Sequence, residues 1–276
     1  MNLLELENIT KIYHRGGWFD KGSRVDALLD INIAVPEGRS IGVIGRSGAG
    51  KSTLGRIILG LEKPDKGRVR YRGKDIQGFT GEDWKQFRQE VQVVFQNSLG
   101  SVNPRWQVSE IIAEPLLNFK RMSPSNLRGK VVKLLETVGL TPDDADKYPH
   151  QFSGGQLQRV CIARSLILEP RLIILDEAVS SLDMLIQAQI LKFLRKLQNR
   201  TGVSYLFVSH DIRIVTGFCD RVAVLHQGRI TSQVASLAQA ERADDPILRQ
   251  LAQSVLPAWP KKILKPGHPG HQRVHP

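Results

Sequence analysis

The stretch Gly45-Arg46-Ser47-Gly48-Ala49-Gly50-Lys51-Ser52 sets three glycines ahead of an adjacent lysine and hydroxyl. That spacing is the phosphate-loop pattern. Glycines let the backbone wrap closely around phosphates and turn its N–H groups inward. A helix starting directly afterwards aims the positive end of its dipole at the same anion. Lys51 would then reach the terminal phosphates of a nucleoside triphosphate as a point charge, and the Ser52 hydroxyl would hold Mg²⁺. The expected nucleotide contacts run from Gly45 to Thr53. A second element, Leu172-Ile173-Ile174-Leu175 followed by Asp176 and Glu177, is an apolar strand ending in two carboxylates. Asp176 would meet the metal at the sheet edge. Glu177 would polarise the attacking water, a role contributing roughly 10²–10⁴-fold. A third element, Ser153-Gly154-Gly155-Gln156, opens another helix with glycines and a hydroxyl, and so offers a second anion site. One nucleotide cannot easily use both helix starts of one chain, whereas two chains packed head to tail can.

These groups need a scaffold, and the hydrophobic pattern supplies one. Ser40–Ile44 forms a short buried strand leading into the phosphate loop, and Leu54, Ile57, Ile58 and Leu61 fall on one helical face beyond it. Residues 3–13 and 24–35 form strands; Leu29, Ile31, Ile33 and Val35 alternate cleanly, while Leu4, Leu6, Ile9 and Ile12 do so imperfectly. Pro36-Glu37-Gly38 turns the chain toward the phosphate-loop strand. A strand at 68–71, a helix at 82–89 and a strand at 90–95 follow, the last ending at Gln96. From Asn97 to Phe152, Pro104, Pro115, Pro124, Pro142 and Pro149 punctuate short helical patterns, which reads as a helical insertion. Ser153 caps a long helix that stops before Pro170. Helix 186–197 and strands 204–208 and 221–225 complete the pattern, with Gln227-Gly228 as a turn. The expected fold class is α/β, a P-loop NTPase core with a mixed sheet, an N-terminal antiparallel β subdomain and an inserted α-helical subdomain. The ATPase domain is expected over 1–235, with the insertion at 97–165, a helical segment at 236–255 and a basic, disordered tail at 256–276.

Composition narrows the setting. The net charge of +12 is spread thinly, except that residues 256–276 carry four of the excess positive charges and no acidic residue. Nucleic-acid binders concentrate charge on one face or stripe, so no nucleic-acid partner is expected. No apolar run is long enough to span a bilayer, and the start lacks the pattern of a signal peptide. Two cysteines, Cys161 and Cys219, fit a reducing compartment. His268, His271 and His275 lie in the Pro- and Gly-containing end and are assigned no metal role.

Ser153-Gly154-Gly155-Gln156 ahead of the Asp176-Glu177 strand resembles the signature of ATP-binding-cassette (ABC) ATPases, and the resemblance extends to about residue 235. It implies further roles. Tyr13 would stack on adenine, Gln96 would sense Mg²⁺ and water and link the core to the helical subdomain, and His210 would contact the γ-phosphate. Ser181, Leu182 and Asp183 would communicate across a dimer, and Ser153 to Gln156 would bind ATP held by the partner. Taken singly, Tyr13 would be a strand-face aromatic, Gln96 a polar strand end and His210 a helix cap; their order along the chain favours the functional reading. Phe152 stands where the signature often has leucine, and Glu177-Ala178-Val179-Ser180 replaces Glu-Pro-Thr-Ser. Phe95 through Arg105 resembles the dipeptide, oligopeptide and nickel importer group, and the stretches at 153–161, 176–180 and 255–260 resemble its nickel-importing branch. That resemblance implies a second ABC ATPase subunit, two membrane permeases and an extracytoplasmic nickel-binding protein as partners, ATP and Mg²⁺ as cofactors, and a peripheral place on the cytoplasmic face of the inner membrane. Peptide import by the same motor is the alternative. A soluble ABC ATPase acting on nucleic acid or ribosomes is a third reading.

Overall fold

The imperfect alternation near the N-terminus has a structural cause. Strand β1 (Asn2–Arg15) pairs antiparallel with β2 (Ser23–Pro36), and the register shifts between Leu6 and Ile9, where Asn8 has a φ of 52°. Such bulges re-aim the strand and break strict period-two patterning. These details come from a computed structural model that describes residues 1–15, 23–119, 122–180, 182–235 and 239. The 236–255 helix (apart from Gln239), the 256–276 tail and Ser181 lie outside the described residues.

β1 and β2 join β4 (Lys66–Tyr71) and β5 (Lys74–Asp75) in a four-stranded sheet of order β2-β1-β4-β5. The larger sheet has six strands, β10-β9-β3-β8-β7-β6. Its members are β3 (Ser40–Ile44), β6 (Val91–Val94), β7 (Leu172–Asp176), β8 (Ser204–Ser209), β9 (Arg221–His226) and β10 (Arg229–Val234). Pairing is parallel except for β9 with β10, so the sheet is mixed. Strands buried on both faces read as continuous apolar runs. Leu172 and Ile174 enter the core shared with the antiparallel sheet, while Ile173 and Leu175 enter the core shared with the helices. The parallel strands end together, and their C-terminal edge is where ligands bind in open α/β sheets.

Helix α1 (Lys51–Ile58) buries Leu54, Ile57 and Ile58 between the two sheets. Leu61 departs from the sequence expectation. The helix ends at Leu59, Gly60 turns with a φ of 68°, and Leu61 is 70% exposed. Helix α2 (Gly81–Glu90) is closed by a Thr80–Asp83 capping box and feeds β6. The insertion contains α3 (Val108–Leu117), α4 (Pro124–Thr137) and α5 (Gly154–Leu166), packed through Ile111, Ile112, Val131, Leu135 and Val160. Pro124 begins α4, as its missing N–H allows. Pro115 does not punctuate but sits inside α3, near the C-terminal end, where it removes one helical hydrogen bond. Helices α6 (Met184–Thr201) and α7 (Ile212–Phe218) flank β8. Neither α7 nor β10 was expected from the pattern.

Candidate active site

The turn from β3 into α1 is built so that side chains stay out of it. Gly45 and Gly50 have no room for a Cβ: one would lie 2.4 Å from the Leu225 carbonyl oxygen, the other 2.4 Å from that of Ala27. Gly48 and Gly50 have φ values of 79° and 109°, a region that L residues rarely occupy. The β9–β10 turn braces this loop from below, Gly228 donating its N–H to the Ala49 carbonyl at 3.2 Å. Ala49 itself is turned into the core.

The loop forms one wall of a cavity of about 910 Å³. Gly45 to Gly48 and Gly50 to Thr53 line it, and so do Tyr13, Gln96, Asp176, Glu177 and His210. Residues far apart in sequence thus share one space because β1, β6, β7 and β8 all end at its rim. Val25, Asp26 and Ala27 of β2 line it as well. Nothing in the local sequence pattern pointed to them, since their place depends on the packing of one sheet against the other.

Lys51 is buried, with its ammonium held by the Gly45 and Arg46 carbonyls at 2.7 and 3.1 Å and 3.7 Å from Glu177 Oε1. His210 Nδ1 lies 3.3 Å from Glu177 Oε2. Glu177 has a φ of 49°, unusual for a residue with a side chain, and donates its N–H to the Val208 carbonyl at 2.8 Å. Strain of this kind costs roughly 1–3 kcal/mol and tends to occur at functional positions. Burial pushes the Asp176 carboxyl above its usual range, Glu177 adds to that, and Lys51 opposes it. Tyr13 sits at the rim, its hydroxyl donating to Glu62 at 2.8 Å and accepting from Arg56 at 3.1 Å. Oxygen donors of this kind, a carboxylate, a hydroxyl and an amide, suit a hard divalent cation that keeps most of its own waters. Among the described residues no group of three or more His, Cys, Asp or Glu is placed to hold a metal ion.

The Ser153–Gln156 segment lies elsewhere. None of its residues lines the cavity. Ser153 caps α5, its Oγ accepting from the Gln156 N–H at 3.3 Å while Gln156 Oε1 accepts from the Ser153 N–H at 3.0 Å. Ser153, Gly154 and Gln156 are exposed. Leu182 and Ile186 rest beside Gly155, where an added Cβ would meet them at ordinary contact distances of 3.5 and 3.7 Å. Asp183 caps α6 by accepting from the Ile186 N–H at 2.9 Å.

A family model described as ABC transporter matches residues 28–180, more than half of the chain. The chain belongs to the ABC transporter family. Two relatives called nickel import ATP-binding protein NikE accompany that match. The one from Rhodospirillum rubrum is 46% identical over 94% of this chain and 93% of its own length; the one from Brucella suis is 43% identical over 96% and 99%. Among solved structures, the dimeric post-hydrolysis state of the ATP-binding cassette MJ0796, bound to ADP and Pi, superimposes with a TM-score of 0.76 at 30% identity, covering 84% of this chain and 97% of that one. The two-sheet architecture with inserted helices is therefore that of an ABC ATPase cassette. No helix among the described residues of this ABC family member is long and apolar enough to cross a membrane.

Proposed function

We propose that this chain is the ATP-hydrolysing subunit of an importer that takes up nickel ions across the cytoplasmic membrane. The observation that supports this most is the division of the site. One cavity gathers Lys51, Ser52, Gln96, Asp176, Glu177 and His210, while the signature helix start stands exposed outside it. A second cassette facing this one head to tail would supply the missing half.

In this reading the loop N–H groups of Arg46 to Gly48 and Gly50 to Thr53 and the Lys51 ammonium hold the phosphates, and Tyr13 stacks on the adenine. Ala49 spends its own N–H on the Arg46 carbonyl. Ser52, Gln96 and Asp176 would hold Mg²⁺, which when bound neutralises charge on the phosphate oxygens. Glu177 orients and polarises the attacking water, and His210, which also reaches Glu177, bonds the γ-phosphate. Ser153 spends its oxygen lone pair on its own helix, which leaves the O–H free to donate to a phosphate held by the partner. Gly154 and Gly155 bring their N–H groups and the helix dipole to the same anion. Leu182 rests beside Gly155 of the signature, and Ser181, Leu182 and Asp183 would communicate across the dimer.

The partners would be a second ABC ATPase subunit, two membrane permeases and an extracytoplasmic nickel-binding protein, with this chain peripheral on the cytoplasmic face of the inner membrane. Gln96 and Asp176 line both the nucleotide cavity and a groove of about 1030 Å³ beside it. A permease pressing on that groove would feel the nucleotide directly. Nickel as cargo rests on the names of the relatives, because nothing in the ATP chemistry selects a cargo. The same motor role in a dipeptide or oligopeptide importer is the second reading, because the Phe95–Arg105 stretch resembles a group that holds both kinds of importer. Deleting the gene decides between them. The proposal expects nickel-limited growth and nickel uptake to fail and recover with the wild-type chain; unchanged nickel uptake with lost peptide uptake would overturn it.

A further inference from the structure

The loop 95–101 leaves β6 with Gln96 directed into the nucleotide cavity, and α5 grips it from the opposite side. Gln158 is 1% exposed and uses both ends of its amide on that loop. Its Nε2 donates to the Phe95 carbonyl at 3.3 Å, and its Oε1 accepts from the Ser98 hydroxyl. One buried side chain therefore brackets Gln96 and Asn97 from both sides. Further along the same helix, Arg164 donates to the Ser101 carbonyl at 2.9 Å and to Glu114 at 2.6 Å. Ser153 starts this helix. Buried amides gain strength from the low dielectric and are costly to leave unpaired, so the loop has little freedom to move without α5.

We propose that Gln158 is a positioning residue that fixes the Gln96 loop to the signature helix, so that Gln96 and Ser153 shift as one body when nucleotide binds. The proposal rests on the roles given above to Gln96 and Ser153. It adds a rigid path within one chain between the site that holds its own nucleotide and the helix start offered to the partner's.

The test uses the full-length chain, alone for amide exchange and in the assembled transporter for steady-state ATP hydrolysis. Gln158→Leu removes both hydrogen bonds at similar volume. Amide exchange over 95–101 should accelerate about tenfold, and kcat should fall about tenfold, the size expected for breaking buried hydrogen bonds. The KM for ATP should stay within about twofold, because the phosphate loop is untouched. Ser98→Ala, at a half-buried position, should give a smaller effect of the same kind, and the double variant should be no slower than Gln158→Leu alone. Unchanged exchange over 95–101, or kcat losses that multiply in the double variant, would overturn the proposal. Should Gln158→Leu fold poorly, Ser98→Ala carries the same exchange test. Gln96→Ala is run beside them: normal hydrolysis there would remove the assigned role of Gln96 while exchange still reports on the Gln158 tie.

Discussion

Replacing Gly50 by alanine isolates what the phosphate loop demands of its backbone. Gly50 has a φ of 109° and a ψ of 2° at the N-cap of α1, and left-handed backbone costs an L residue roughly 1–2 kcal/mol. The new Cβ would also lie 2.4 Å from the Ala27 carbonyl oxygen and 2.9 Å from Leu28 Cδ2. The first of these is backbone of a paired strand and cannot swing aside, so overpacking adds about 1–3 kcal/mol. Together these give a loss of about 2–5 kcal/mol, a large part of the roughly 5–15 kcal/mol that holds a typical domain. Gly48→Ala is the control, since Gly48 shares the left-handed backbone with a φ of 79° but an added Cβ meets nothing within 4 Å. It should lose only the backbone share, about 1–2 kcal/mol. Urea unfolding at constant m measures the difference, and fluorescent-nucleotide titration measures the damage to binding. If Gly50→Ala and Gly48→Ala unfold within about 0.5 kcal/mol of each other, the close approach of β2 to the loop is not what makes Gly50 necessary.

Two further outcomes follow from burial. Because folding raises the Asp176 pKa, the folded chain binds that proton more tightly than the unfolded one, and the ionised carboxylate is a cost at neutral pH. In metal-free buffer Asp176→Asn should therefore melt higher than wild type at pH 7, by at least about 2 °C. The gap should shrink as pH falls through the folded value and close below about 3, where both states are protonated; a gap that widens on acidification would contradict this. Burial also pushes the Cys161 and Cys219 thiols upward, so neither should react with a thiol reagent at pH 8 until the chain is unfolded, which absorbance of the released chromophore would follow.

Local chemistry was legible and distant packing was not. The phosphate loop could be read because its glycines, lysine and hydroxyl are contiguous and the strand and helix on either side are strongly patterned. The Ser153 cap is likewise written within four residues. Leu61 was misplaced because helical spacing alone carried it onto the face of Leu54 and Ile58, whereas Gly60 had already ended the helix. Gln158 looked like any polar helix residue, since what it bonds, Phe95 and Ser98, lies some sixty residues earlier. The lining by Val25 to Ala27 depends on two sheets meeting, and the bulge at Asn8 blurred the one strand pattern that places Tyr13.

The central claim is that hydrolysis requires a second cassette to close over this cavity. Glu177→Gln keeps the shape of the side chain that lies beside Lys51 and His210 and removes the carboxylate proposed to polarise the attacking water. Light scattering of that variant with ATP and Mg²⁺, alongside its partner cassette, is the most direct measurement. The account expects a stable two-cassette species that persists while hydrolysis falls by about 10² or more. A variant that stays monomeric and hydrolyses ATP at the wild-type rate would contradict it.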